Sequence, residues 1–419
     1  MPKTQWSDDG FLDGLRRQGD LPADEAVARL IEQGGIAEVN RWFQVLRSDD
    51  QPLPPDLPAP FREFLEATGG IPADVDLERV RRGEEAFMRN AFPAALALLA
   101  KSLPEGYQAP CLTEILMISR DLARSPYDRL LGVLQMLVRV CSAHGFEPGG
   151  SVVITAQKMR LMHAGVRTVV PRRRPGYEER FGVPVNQEDR LATIVAFSYL
   201  VIDGLRTLDV GLTDGEAEDF YYLWQVFARL SGIHPPGEPE SVAYIPGSVA
   251  EAAEFYAAYS RRHYVARNPG GEILTRDHLD MLGDMIPRLL RWLGLGLAPR
   301  VFMWDLMGDQ ACFNLGIPPV PGHRILKGLM LSIVKVWQRG VDHLPAHGVE
   351  AFSQMIFQGM ISRQYGGQVQ FMIPDSVASL HRLDAGRDQG RDQKNQARPA
   401  SSSLAALRSA VSSPPANPS

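Results

Sequence analysis

The chain has 419 residues, a mass of 46.3 kDa, 45% apolar and 22% charged residues, and a formal net charge of −5. These values exclude a fully disordered chain, a collagen and a basic nucleic-acid coat, and the length suffices for one large core or two. Three cysteines cannot build a disulfide framework, which points to a reducing compartment.

No apolar stretch follows the polar opening around Trp6, Asp8 and Asp9, so no secretory signal is read and the expected location is cytoplasmic. Apolar periodicity of 3.6 predicts helices over 24–33 and 35–46, within a helical lead-in of residues 1–60 that ends in a Pro-rich linker at 48–60. The main body, 61–383, reads as a large single all-α domain. Its predicted helices cover 84–100, 113–124, 127–143, 152–170, 187–205, 214–231, 248–260, 276–293, 324–338 and 350–364. Asp214 and Ser248 sit at N-cap positions, and Pro171 is expected to stop the helix that begins at Val152. Residues 384–419 turn Gly, Ser, Pro and Gln rich and carry a charge of +2; a disordered tail is expected there. The longest uncharged apolar run, 191–202, has twelve residues and is too short for a transmembrane helix.

The chain carries no P-loop, HExxH, GxSxG, CxxC or complete GxGxxG, and without CxxCH no covalent haem attachment is expected. The run Arg172, Arg173, Arg174 reads as a solvated loop after a helix end. Three constellations remain. His343, His347 and Glu350 have the donor types of a facial iron triad, but Pro345 and Gly348 interrupt the helix that would align them. Asp277, His278 and Asp280 fall at a predicted helix start, where acidic groups suit the helix dipole.

The third constellation is the richest. Arg160, His163 and Arg167 are spaced i, i+3, i+7 and share one stripe of a mostly apolar helix. Buried basic groups are costly unless something anionic or metallic meets them. Haem would offer iron to the imidazole and propionates to the guanidiniums. The same spacing fits a structural cluster paired with carboxylates of a neighbouring helix.

The run 160–167, Arg-Leu-Met-His-Ala-Gly-Val-Arg, resembles the signature of the latex-clearing protein (rubber oxygenase) and mycophenolic-acid-pathway (MpaB-type) oxygenase family of b-type haem proteins. Supporting matches are 182–189 (Gly-Val-Pro-Val-Asn-Gln-Glu-Asp) with Thr193 and Phe197, the opening 9–16 and the step 103–107; together they span roughly residues 8–340. The resemblance implies an all-α fold with a globin-like core around haem b. It implies His163 as the proximal iron ligand, with Arg160 and Arg167 at the propionates or haem edge. A distal Arg-x-x-Lys-Thr run of the family is matched here only by Arg129; Gly132 and Val133 replace the Lys and Thr, implying a more open or apolar distal face. The family's acidic base falls near Glu114. Leu130, Leu131, Val133 and Leu134 are expected to line a pocket that excludes water. The implied reaction is O2-dependent oxidation or cleavage of a C=C bond in a small apolar, isoprenoid-like or lipid substrate, with no nucleic-acid partner. A non-catalytic haem sensor or carrier is the alternative. Oligomeric state is not readable from the sequence.

Overall fold

Strong helix formers and 3.6-residue periodicity dominate the sequence, and the computed structural model of the chain is correspondingly all-α. It describes residues 4–122, 126–286, 288–292 and 295–322, with further positions between 327 and 340; within these, the side chains of 36–38, 119–122, 126–131, 135, 289 and 290 are not among those described. The predicted helix 350–364, the 343–350 constellation and the tail 384–419 lie outside the described residues. The described residues fall in one compact unit, 1–378.

In chain order the helices are α1 (Asp9–Arg16), α2 (Leu21–Glu32), α3 (Ile36–Val45), α4 (Ala59–Ala67), α5 (Leu77–Arg89), α6 (Ala91–Ala97), a π turn at Leu98–Ser102, α7 (Leu103–Gly106), α8 (Pro110–Leu122), α9 (Pro126–Cys141), α10 (Val152–Arg173), α11 (Tyr177–Phe181), α12 (Gln187–Phe197), α13 (Tyr199–Thr207), α14 (Asp214–Leu230), α15 (Val249–His263), α16 (Pro269–Met285), α17 (Arg288–Trp292) and α18 (Ala298–Asn314). No helix among the described residues is long and apolar enough to cross a membrane.

Several sequence expectations change in detail. Helix α10 does not stop at Pro171 but runs on to Arg173. A proline there removes one N–H near a helix end, and the Arg174 N–H closes the last turn on the Val170 carbonyl at 2.8 Å. The single helix expected over 187–205 is two, because Ser198 leaves the helical region at φ −107° and ψ −81°. The N-cap of α14 is Thr213 rather than Asp214: Thr213 and Glu216 form a reciprocal capping box. Helix α16 begins at Pro269, so Asp277, His278 and Asp280 sit in its body instead of at its start. Helices α1, α4, α7, α11 and α18 match none of the expected spans.

The most extensive helix pair is α5 with α14. Gly83 makes that approach possible, since a Cβ there would lie 2.5 Å from the Asp219 carbonyl oxygen. Phe87 and Phe220 stack across it, and Arg79 and Arg82 hold the Asp219 carboxylate at 2.9 and 2.6 Å. Residues 1–60 add to the same core: Trp6, Leu12 and Leu15 are buried in it.

Helix α10 packs against α2, α8, α9, α11 and α14. It is buried along most of its length, so its polar side chains must be paired inside the protein. Gln157 donates to the Leu65 carbonyl at 2.8 Å, and Lys158 donates to the carbonyls of Phe43 and Leu46. Its first turn is capped from afar: Asp49, in the Pro-rich connection, accepts the Val153 and Ile154 N–H groups at 3.2 and 2.9 Å.

Candidate active site

The basic stripe of α10 meets α2 and α12. Asp20, the residue before α2, is 1% exposed at its side chain. It accepts from Arg160 Nε and Nη2, both at 2.9 Å, and from Arg190 Nη2 of α12 at 3.2 Å. Burial alone would raise the Asp20 carboxyl, but the guanidiniums of Arg160 and Arg190 more than reverse this and hold it well below the usual range. One helical turn on, Asp24 takes Arg167 Nε at 2.7 Å. Thus both arginines of the signature have carboxylate partners within the protein, as the cluster alternative supposed. Arg167 keeps one buried nitrogen, Nη2, without a partner.

His163 lies between these arginines along α10. Its ring is partly accessible, and the surface it shows belongs to a cavity between α9, α10, α12 and α14. Burial, then the charges of Arg190 and Arg167, lower its pKa to about 3, so the imidazole is neutral at physiological pH. Its Nδ1 is buried without a hydrogen-bond partner. Around it stand Met136, Met159, Thr193, Phe197, Trp224 and Phe227, with Arg190 and Ser231 among the remaining lining residues. Four of the eleven lining residues carry a buried polar atom with no partner: His163 Nδ1, Arg190 Nη1, Trp224 Nε1 and Ser231 Oγ. Buried polar atoms are normally satisfied by protein or by water, so this concentration marks the cavity as a site for a bound molecule, a water included.

The other two sequence candidates are Glu114 and Arg129. Glu114 on α8 pairs with Arg180 of α11 at 3.0 Å and is not among the residues lining the His163 cavity. Arg129, Leu130 and Leu131 belong to α9, but their side chains lie outside those described. Of the residues expected to line a pocket, Leu134 is buried in the main core and Val133 packs against it. Among the described side chains of α9, Met136, two positions beyond Leu134, lines the cavity. Thr193 and Phe197, noted with the 182–189 run, do line it.

That run also fixes how the site is held. Gly182 has φ +76°, and a Cβ on it would lie 2.6 Å from the Arg16 carbonyl oxygen. The Val183 N–H bonds that carbonyl at 3.0 Å. Arg16 in turn pairs with Glu188 at 2.8 Å and Asp189 at 3.1 Å, while Tyr259 donates to Asp189 at 3.0 Å. The opening 9–16 and the stretch 182–189, far apart in sequence, therefore clamp the start of α12, the helix that carries Arg190.

A family described as "ER-bound oxygenase mpaB/B'/Rubber oxygenase, catalytic domain" matches residues 83–336. The chain belongs to this oxygenase family. It is 26% identical over 331 residues to the rubber oxygenase of Streptomyces sp. (strain K30), a match covering 78% of this chain and 77% of that protein. The solved structure of the latex clearing protein in its closed state superposes with a TM-score of 0.71 at 22% identity, covering 86% of this chain and 95% of that one. At that identity the superposition speaks to the fold. The family match contains helices α9, α10, α12 and α14 and so the whole His163 cavity. Asp20 and Asp24 lie outside it.

Sequence reasoning does not find Arg190, Trp224 and Ser231 in the cavity, nor Asp20 and Asp24 beside it. One signal was available for the first: Arg190 is the charge that bounds the long apolar run 191–202, and it sits one residue after the recognised 182–189 stretch. For Trp224 and Ser231 nothing local distinguishes them from ordinary core and helix-end residues.

Proposed function

We propose that the chain is a b-type haem-dependent oxygenase that oxidises or cleaves a C=C bond of an apolar, isoprenoid-like or lipid substrate. The observation that carries this is a neutral, half-buried imidazole at His163 with its Nδ1 unpartnered, facing an aromatic cavity in a chain of the oxygenase family. The name of the Streptomyces relative, a rubber oxygenase, supports an isoprenoid substrate.

The donor set fits a haem. An iron ligand must offer a free lone pair, and His163 is held neutral by burial and by neighbouring positive charge. Its ring also retains a second nitrogen for an outer hydrogen bond, of the kind that orients ligating histidines. Phe197, Trp224 and Phe227 supply flat apolar walls. The space does not come ready-made: the cavity volume is about 20 Å³, enough for a single water. Met136 and Met159 are the unbranched, adaptable side chains among its walls, and admitting a haem would take a wider parting of the surrounding helices than their rotation alone.

In this proposal His163 holds the iron, and the bound haem supplies the activation of O2. The aromatic walls exclude water, which keeps charged side reactions out and favours an apolar substrate. Asp20 and Asp24 fix Arg160 and Arg167, which flank His163 along α10. The test is turnover of the haem-loaded full chain with a short oligo-isoprenoid under ¹⁸O2. Labelled carbonyl products support the proposal; haem-loaded protein that leaves isoprenoids and unsaturated lipids untouched contradicts it and favours a sensor or carrier.

A further inference from the structure

Five charged side chains meet beside the cavity. Arg160, Arg167 and Arg190 share two carboxylates, Asp20 and Asp24. Within this cluster one positive charge has no counter-charge. The bonding shows which cation is short. Arg160 has both Nε and Nη2 on Asp20, and Arg167 has Nε on Asp24 and Nη1 on the Val185 carbonyl. Arg190 has a single bond, Nη2 to Asp20, although its side chain is only 3% exposed.

Arg190 also lines the cavity, and its Nη1 is buried without an acceptor. Ser231, 1% exposed, lines the same cavity, and its Oγ is likewise buried without a partner. A forked cation and a hydroxyl donor, both unsatisfied, make a receptor for an anion with two oxygens. Inorganic phosphate is a poor match, because the other walls are Met136, Met159, Phe197 and Phe227. A carboxylate attached to an apolar body matches both kinds of wall, although it needs the walls to part around a space that is about 20 Å³ as it stands.

We propose that Arg190 Nη1 and Ser231 Oγ form the carboxylate-binding corner of the His163 cavity. The carboxylate is a propionate of the cofactor or the acid end of a lipid substrate; the first source rests on the haem reading above, the second does not. Under this assignment Arg190, and not the signature residues Arg160 and Arg167, is the cation that meets the ligand.

The test titrates the full chain, purified from iron-limited cells, with haem b and with iron protoporphyrin IX dimethyl ester, which lacks both carboxylates. The readout is the Soret band. For the cofactor source, Arg190→Leu weakens haem b binding about 10- to 100-fold, as expected for a charge-assisted bond lost from a buried site, and Ser231→Ala about 3- to 10-fold. The dimethyl ester binds the wild type and both variants alike. A parallel arm adds oleate or oleyl alcohol and follows the Soret band or, in haem-free protein, tryptophan fluorescence. A response to oleate, absent with the alcohol and lost in Arg190→Leu, assigns the corner to a lipid acid. Unchanged haem b affinity in both variants together with no selective oleate response overturns the proposal. Failure of the wild type to take up either porphyrin sinks the haem reading alone, and the oleate arm on haem-free protein still decides the corner. Circular dichroism controls for folding; Arg190→Lys, which keeps the charge, restores most of the haem b affinity if Arg190→Leu lost it for want of a cation.

Discussion

Asp20→Asn is the sharpest probe of the charge cluster under α10. The change is nearly isosteric, and Asn is as good as Asp before a helix. The Asp20 side chain makes no capping bond to α2, so the helix start itself loses nothing. What disappears is the negative charge that accepts three hydrogen bonds from Arg160 and Arg190 at 2.9 to 3.2 Å, at a side chain 1% exposed. Arg160, Arg167 and Arg190 would then share Asp24 alone. Removing one partner of a buried ion pair costs about 3–5 kcal/mol because the other charge stays buried. For a unit of this size that is a fall of about 4–6 °C in Tm. The control is Asp74→Asn, which removes a carboxylate from Arg229 where the acid is 67% exposed; screening by water leaves its Tm unchanged. Thermal melts by circular dichroism, in haem-free protein, provide the measurement. An Asp20→Asn melt within 1 °C of the control would show that the cluster holds no buried charge energy and would refute the reasoning.

Four further outcomes follow from the same structure. His163 titrates at about 3 when folded against 6.5 as a model side chain, so the unfolded chain binds the proton more readily; stability is complete above pH 6.5 and declines as pH falls toward 3. In haem-free protein this amounts to about 2 kcal/mol lost at pH 5 relative to pH 8, and denaturant melts of His163→Phe should lack that part of the slope; parallel slopes would contradict it. Gly83→Ala drives a Cβ to 2.5 Å from the Asp219 backbone oxygen, which cannot rotate away, and should cost about 2–3 kcal/mol. Gly14→Ala, with nothing within 4 Å inside α1, should gain about 0.5–1 kcal/mol in urea melts. Trp224 is fully buried on the cavity wall, so haem uptake should quench its fluorescence, and Trp224→Phe should remove the largest part of the quench; quenching unchanged in that variant would place the haem elsewhere.

Much of this architecture was legible in the sequence because it is local. Periodicity and punctuation place α9 and α10 within a few residues, and Ser248 caps α15 where expected. The departures come from features that periodicity does not encode. Ser198 breaks a continuous apolar pattern by backbone geometry alone, and Thr213 takes the cap because Glu216 can reach back to it. The site was half legible. The stripe Arg160, His163, Arg167 is visible at helical spacing, but Asp20 and Asp24 lie 140 and 143 residues away from their arginines, and no spacing rule joins them. Arg190 escaped notice because a guanidinium at the head of an apolar helix looks like a solvated boundary. Only the fold, by folding Asp20 and Ser231 around it, makes it a buried cation with an unused nitrogen.

The most direct test of His163 as the iron ligand is an absorption spectrum of the purified full chain, oxidised and then reduced under carbon monoxide, for the wild type, His163→Ala and His144→Ala. His144 is a surface residue paired with Glu147 and serves as the control. The wild type and His144→Ala should show a Soret band that shifts with carbon monoxide, and His163→Ala should lose most of it. Equal haem content and equal carbon monoxide shifts in all three proteins would remove His163 from the iron and contradict the central claim.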